Sequence, residues 1–123
     1  MKPSKNTLIV GAVLMALAVI TEAFGAHALK PILEANQRTN TFELAARYHI
    51  YHSLAILVFG LLETNKLLKI SVFLMISGIL CFSGSLYVLS VTGQKWLGAI
   101  TPIGGFCFIF SWGLFAWNML KKT

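Results

Sequence analysis

Charged residues are scarce in this chain. It has ten Lys or Arg and four acidic residues, 11% of its 123 residues, whereas ordinary soluble domains carry about 25%. A soluble domain this short must cover a large surface with polar groups, and so few charges cannot do that. The composition therefore excludes a soluble enzyme, and we expect no catalytic activity.

The low hydrophobicity of disordered chains is also missing, since 57% of the residues are apolar and the mean hydropathy is +0.77. A helix needs about 20 mostly apolar residues to cross a bilayer. Four stretches of the chain meet that need, and none alternates apolar and polar residues as a barrel strand does. The stretches are residues 7–27, 41–62, 67–91 and 96–120. We predict an all-α fold, an integral membrane antiparallel four-helix bundle, as a single domain over residues 1–123.

Basic residues are distributed unevenly between the two sides of this bundle. Lys30, Arg38 and Lys95 lie on the side of the first and third connections. The side of the termini and the second connection holds Lys2, Lys5, Lys66, Lys69, Lys121 and Lys122. The positive-inside rule then places both termini in the cytoplasm. The net charge of +6 therefore describes topology, and without a water-exposed basic module we expect no nucleic-acid partner.

The connection between the first two predicted helices, residues 28–40, is the longest. Its first half places apolar and charged residues on opposite faces at helical spacing, and Pro31 suits a first turn. We predict a short helix lying in the membrane interface. Asn40 and Glu43 have the spacing of a capping box, which predicts that the next helix starts there.

Polar residues within the predicted helices cluster at one depth. At 1.5 Å per residue, Glu22, the Arg47 to His52 segment, Ser83 to Tyr87 and Thr101 all lie in the outer half of the bilayer. The inner halves are almost purely apolar. Because ionisable groups inside a bilayer face the bundle interior and tend to pair, we expect these side chains to form one cluster. Its members are Glu22, His27, Arg47, Tyr48, His49, Tyr51, His52, Ser83, Ser85 and Thr101.

Glu22 and Arg47 are the expected ion pair of this cluster, supported by His49 or His52. Such a pair is interpreted either as structural, setting helix register, or as functional; both readings stay open. A metal or haem site would need converging ligands with supporting partners, and no metal-binding signature is present. Cys81 and Cys107 fall within predicted helices, where cysteine packs as a small apolar residue. We expect no metal, no cofactor and no catalytic residue.

The last predicted helix contains Pro102 followed by Gly104 and Gly105. Proline lacks a backbone N–H, so Pro102 frees the carbonyl near Gly98, and a kinked helix beside an ionisable cluster could present carbonyls to an ion. Pro and Gly are also common in membrane helices, where small residues let backbones approach closely. We favour plain helix packing as the interpretation of this segment.

Four motifs carry a family resemblance: Ala23-Phe-Gly-Ala-His27, Phe42-Glu-x-x-x-Arg47-Tyr48-x-x-Tyr51-His52, Ser83-Gly-Ser-Leu-Tyr87, and Gly98-Ala-Ile-Thr-Pro-Ile-Gly-Gly105. In this order they span nearly the whole chain, which resembles the YgdD/YwdK-like, UPF0382-type family of small bacterial membrane proteins, a domain of unknown function. The resemblance implies a multi-pass protein of the bacterial cytoplasmic (inner) membrane. It implies no mechanism.

These features favour a non-catalytic accessory or scaffolding component of the membrane. The expected partners are the lipid bilayer and either further copies of the chain or a larger membrane complex. The alternative is a small oligomeric transporter or binding protein that handles a proton, an ion or a small polar ligand. In that case Glu22, Arg47 and His49 or His52 would do the work.

Overall fold

The computed structural model describes residues 2–122, and the regular structure in that part of the chain is entirely helical. The α-helices are α1 (Lys5–Ala26), α2 (Lys30–Ala35), α3 (Thr39–Leu61), α4 (Lys66–Gly78), α5 (Ser85–Thr92) and α6 (Thr101–Lys121). A π-helical turn, Ile79–Gly84, joins α4 to α5, and a 3-10 turn, Lys95–Ala99, precedes α6.

Four helical segments are long and apolar enough to cross a membrane. They are Lys5–Ala26, Thr39–Leu61, Lys66–Thr92 and Lys95–Lys121. These agree with the four stretches predicted above, and the predicted all-α membrane bundle is confirmed. Local signals account for several ends: Asn65 caps α4 by accepting a hydrogen bond from the backbone N–H of Leu68, and Gly93, with a φ of 73°, ends α5.

Helix α3 is the centre of the bundle. It packs along α1 on one side and against the π turn and α5 on another, while α6 packs along α4. The apolar core lies where these elements meet and includes Ile56, Phe59, Met75 and Phe108. Half of the α3 span is buried but only 11% of the α1 span, so α1 presents most of its surface to lipid.

Glycines allow α1 and α3 to approach closely. A Cβ at Gly11 would meet Leu57, and one at Gly25 would meet the ring of Phe42. These contacts define an antiparallel register in which the two residue numbers sum to about 68. Glu22 is therefore level with Ala46 of α3, as the depth count expects.

The predicted short helix in the first connection is present as α2, with Pro31 in its first turn. Asn36 ties the end of α2 to the bundle because its Nδ2 donates to the carbonyls of Ser90 and Val91, at 3.1 and 2.9 Å. The capping box predicted at Asn40 and Glu43 is wrong.

Helix α3 begins at Thr39, and its N-cap residue, Arg38, makes no side-chain hydrogen bond. The reason is the turn that closes α2: Gln37 adopts a left-handed conformation with a φ of 55°, and the N–H of Arg38 donates to the carbonyl of Leu33 at 2.9 Å. The chain thus enters α3 before it reaches Asn40.

The last two spans differ from the regular helices that were predicted. The third contains the π turn, and α6 starts at Thr101, so Pro102 lies in its first turn. The alternative of a kink at Pro102 is wrong, because a first-turn N–H has no intrahelical acceptor and its loss breaks no helical bond. Gly104 instead packs closely against Phe82, as the favoured interpretation expects.

Candidate functional site

The outer half of α3 has two faces of different chemistry. His49 and His52 point inward and are almost fully buried, at 4% and 6% exposure. Arg47 and Tyr51 point outward and are exposed. Successive helix positions turn by about 100°, so Arg47 and His49 are on roughly opposite sides of α3 although only two residues separate them.

His49 is held by Tyr87 of α5. Its Nδ1 lies 2.9 Å from the Tyr87 hydroxyl, and the two rings meet edge to face. The other ring nitrogen, Nε2, is buried and has no hydrogen-bond partner in the described chain. A buried ring nitrogen without a partner is unusual, so His49 has a donor or acceptor to spare.

His52 has both ring nitrogens engaged. Nδ1 lies 2.7 Å from the Tyr48 carbonyl, which can only accept, so the proton is on Nδ1. Nε2 then accepts from the indole N–H of Trp112, at 3.2 Å. The ring also stacks on Phe108, with centroids 3.6 Å apart. His52 is therefore a satisfied neutral histidine that links α3 to α6.

Hydroxyl groups join the π turn to its neighbours. Ser83 donates to the Ala45 carbonyl on α3 at 2.7 Å, and Ser85 pairs with Thr101 on α6 at 2.7 Å. A Cβ at Gly104 would collide with the Phe82 backbone. These contacts hold the predicted residues Ser83, Ser85 and Thr101 within one packed junction.

Tyr48 belongs to the same inner set. Its ring stacks on Phe82 with centroids 4.6 Å apart and also contacts His52. His27 does not belong to it: this residue is exposed at the end of α1 and lines a shallow apolar depression with Ala23 and Phe24.

The expected ion pair between Glu22 and Arg47 is not formed within residues 2–122. The two residues lie at the same level of the bundle, but both are exposed and Arg47 points away from the bundle interior. Periodicity explains the outcome, because a helix that turns its histidines inward at 49 and 52 must turn residue 47 outward.

Glu22 instead lines a small cavity between α1, α2 and α3. The cavity measures about 70 Å³ and is also lined by Thr39, Phe42 and Glu43. Phe42, which lines the same cavity, packs against Tyr87 with ring centroids 5.1 Å apart. From the cavity to the interior, Phe42, Tyr87 and His49 therefore follow one another.

No metal-binding group was found in the part of the chain that the structure describes: three His, Cys, Asp or Glu residues do not gather anywhere in it. Cys81 and Cys107 are free thiols, both partly buried.

Two partners of the histidines were missed by the sequence reasoning. Trp112 is not a member of the predicted cluster, yet it is the hydrogen-bond donor to His52. Tyr87 is not a member either, yet it holds His49. For Tyr87 the depth count contained the signal, since it placed this residue level with the histidines.

Comparison with known proteins extends this picture. The family described as "Protein of unknown function (DUF423)" matches residues 21–105, more than half of the chain. The chain belongs to the DUF423 family. The matched region runs from α1 to the first turn of α6 and contains every residue of the predicted cluster.

Several DUF423 relatives are similar over most of their length. The YwdK protein of Bacillus subtilis, a UPF0382 membrane protein, is 44% identical over 113 residues, which cover 88% of this chain and 90% of the relative. UPF0382 membrane proteins of Staphylococcus epidermidis and Haemophilus influenzae are 43% and 38% identical, covering 88% and 81% of this chain and 89% and 82% of the relatives. No solved structure matches this DUF423 chain. Together with the four apolar spans, these relatives identify a multi-pass membrane protein.

Proposed function

We propose that this DUF423 protein is a non-catalytic component of a membrane assembly in the bacterial cytoplasmic membrane, with both termini in the cytoplasm. Its contact surface is the outward face of α3, defined as Glu43, Arg47, Tyr51, Leu54 and Val58. All five are exposed, at spacings of four, four, three and four residues. The observation that carries the proposal is that Glu43 and Arg47 have no ion-pair partner within the described chain.

An unpaired charge on the lipid-facing side of a membrane helix is unfavourable. Arg47 follows the start of α3 by eight residues, roughly 12 Å along its axis, so its long side chain must reach back toward the headgroups or find a partner. A protein partner would provide acceptors for the Arg47 guanidinium at the depth where Arg47 lies. The inner residues His52 and Ser83 need no such partner, since both are satisfied within the chain.

The partner that this face suits best is a second copy of the chain. A two-fold axis along the membrane normal sets the two α3 helices side by side and parallel. Glu43 of each copy then lies one helical turn from Arg47 of the other, within reach of an ion pair. The face is therefore complementary to itself.

Disulfide crosslinking in native membranes tests this proposal. In a Cys81→Ala, Cys107→Ala background, Leu54→Cys should crosslink to a second copy. Val13→Cys is the matched control, because it is level with Leu54 on α1 and similarly exposed, at 53% against 50%; it should not crosslink.

Charge exchange makes the test specific. Arg47→Glu should lower the Leu54→Cys crosslink about tenfold, because like charges across an interface repel. The exchange Glu43→Arg with Arg47→Glu restores complementarity and should restore the crosslink. A crosslink that survives the single change, or one that the exchange fails to restore, contradicts the self-association. Crosslinking only to a different protein would assign the face to another partner.

A second function, proton or small-ligand binding, is favoured by one specific observation. The partnerless Nε2 of His49 lies at the inner end of a path that starts in the cavity lined by Glu22 and passes Phe42 and Tyr87. Such a line of groups can hold a proton or a small polar ligand. Proteoliposomes with an internal pH dye should then show proton uptake that Glu22→Gln abolishes while the dimer remains. Equal fluxes in the variant and in empty vesicles would end this second proposal.

A further inference from the structure

A basic cavity lies at the end of the bundle opposite to the outer polar cluster, and it shares no residue with that cluster. It lies where α4 begins and α6 ends, and its volume is about 350 Å³. Three of its lining residues are lysines, and none is acidic. The lining residues are Asn65, Lys66, Leu67, Asn118, Lys121 and Lys122.

The start of α4, residues Asn65 to Leu67, forms part of the cavity lining. The Asn65 side chain accepts from the N–H of Leu68 at 2.9 Å, and its carbonyl accepts from Lys69 at 3.0 Å. The N–H groups of Lys66 and Leu67 have no intrahelical acceptor, because they belong to the first turn. Unpaired N–H groups and the helix dipole together favour an anion at this position.

Asn118 provides a second, independent indication that a ligand binds at this position. It is almost fully buried, at 3% exposure, and its Oδ1 accepts from Asn65 Nδ2 at 3.0 Å. Asn65 is fixed in orientation because its own Oδ1 caps α4. Asn118 must therefore present Oδ1 to it, and its Nδ2 is left buried with no hydrogen-bond partner. The capping of α4 thus leaves a buried donor without an acceptor on Asn118, a residue that lines the basic cavity.

We infer that this cavity binds a phosphate-bearing anion, and that its source is the headgroup of an anionic phospholipid. The lysines supply charge, while the first turn of α4 and Asn118 supply N–H donors of the kind that phosphate oxygens accept. A lipid is the fitting source because the cavity opens at the end of two membrane spans, where exposed Trp117 and Leu120 offer an apolar path for acyl chains. The inference is independent of the α3 face.

Native mass spectrometry of the full chain in mild detergent tests the inference. Phosphatidylglycerol should be retained and phosphatidylcholine with the same acyl chains should not. Lys121→Gln with Lys122→Gln should weaken phosphatidylglycerol retention about 30-fold, since each lysine near an anionic surface contributes a factor of about five. The matched control, Lys30→Gln with Lys95→Gln, removes the same charge from the other end and should leave retention unchanged.

Asn118→Asp is the sharper variant. It keeps the oxygen that accepts from Asn65 but replaces the unpaired donor with a carboxylate oxygen, so the fold is preserved while the anion is repelled. We expect a loss on the order of tenfold in retention. Should this variant fail to fold, the paired lysine substitutions still decide the question.

Inorganic phosphate distinguishes the two sources of the ligand. Retention of phosphatidylglycerol in the presence of excess phosphate supports the lipid. Binding of phosphate alone, lost in the same variants, supports the cavity but moves the source to a soluble anion. Two results overturn the inference. One is that neither phosphatidylglycerol nor phosphate binds. The other is that phosphatidylglycerol is retained equally well after the paired lysine substitutions and after Asn118→Asp.

Discussion

The polar side chains on the inward and outward faces of α3 have opposite environments. On the inward face, His52 donates to Tyr48 and accepts from Trp112, so a polar ring is buried at little cost. On the outward face, Arg47 is exposed and has no ion pair in the described part of the chain. The polar residues of the outer half are therefore two sets at one depth, and the chain itself satisfies the uncharged set except for the Nε2 atom of His49.

The inward face therefore contributes to the fold of one copy, whereas the outward face restricts association with other molecules. Uncharged polar groups that are paired inside the bundle can fix helix positions, and removing one leaves its partner unsatisfied. Charged groups on the outside contribute little to the fold of one copy, but they restrict what can lie against it. Variants on the two faces should therefore affect different measurements.

The largest effect on stability is expected where the π turn meets α6. Gly104→Ala places a Cβ against the Phe82 backbone, and backbone cannot yield as a side-chain tip can. We expect a loss of about 2 kcal/mol, typical of overpacking, in SDS-induced unfolding from mixed micelles. Gly105→Ala is the control, because a Cβ there meets nothing within 4 Å. Equal stability of the two variants would contradict the close approach.

Breaking the histidine link between α3 and α6 should have the next largest effect. His52→Leu replaces the imidazole with an apolar side chain of similar size and removes the acceptor of the Trp112 N–H. We expect the free energy of unfolding to fall by about 1–2 kcal/mol in the same assay. Trp112→Phe removes the donor. If the hydrogen bond matters, the double variant should cost less than the sum of the single ones; strict additivity would argue against it.

A smaller effect is expected at His49. Tyr87→Phe removes only the hydroxyl at 2.9 Å from Nδ1 and should lower the free energy of unfolding by about 1 kcal/mol. Tyr51→Phe makes the same chemical change on the outward face, where the hydroxyl has no partner in residues 2–122, and should leave stability unaltered. A similar loss of unfolding free energy in both variants would contradict the proposed difference between the two faces.

The smallest effect on the fold is expected at Arg47. Arg47→Gln removes a charge that has no partner in its own chain, so unfolding of the dispersed monomer should change by less than about 0.5 kcal/mol. The same variant should weaken self-association measured by crosslinking. A loss comparable to that of His52→Leu would show that Arg47 has an intrachain role after all.

Hydropathy and periodicity predicted the four spans and the short helix α2, because crossing a bilayer demands length and apolarity that a sequence displays directly. Counting residues also predicted the common depth of Glu22 and Arg47. The same count could not say which way each side chain points, since depth depends on rise per residue alone. The helical phase of Arg47 relative to His49 was present in the numbering, but which of them faces inward depends on the neighbours of α3.

The sequence by itself determined the class of the protein, its four crossings and the level at which polar groups gather. Only the tertiary structure decided that His52 and the serines of the outer polar cluster are hydrogen-bonded inside the bundle, that Glu22 and Arg47 stay apart, and that the third span contains a π turn. The physical reason is that insertion into a membrane is a property of each segment, whereas hydrogen-bond satisfaction depends on groups far apart in the chain. Ala45 and Ser83, or His52 and Trp112, meet only when the helices have packed.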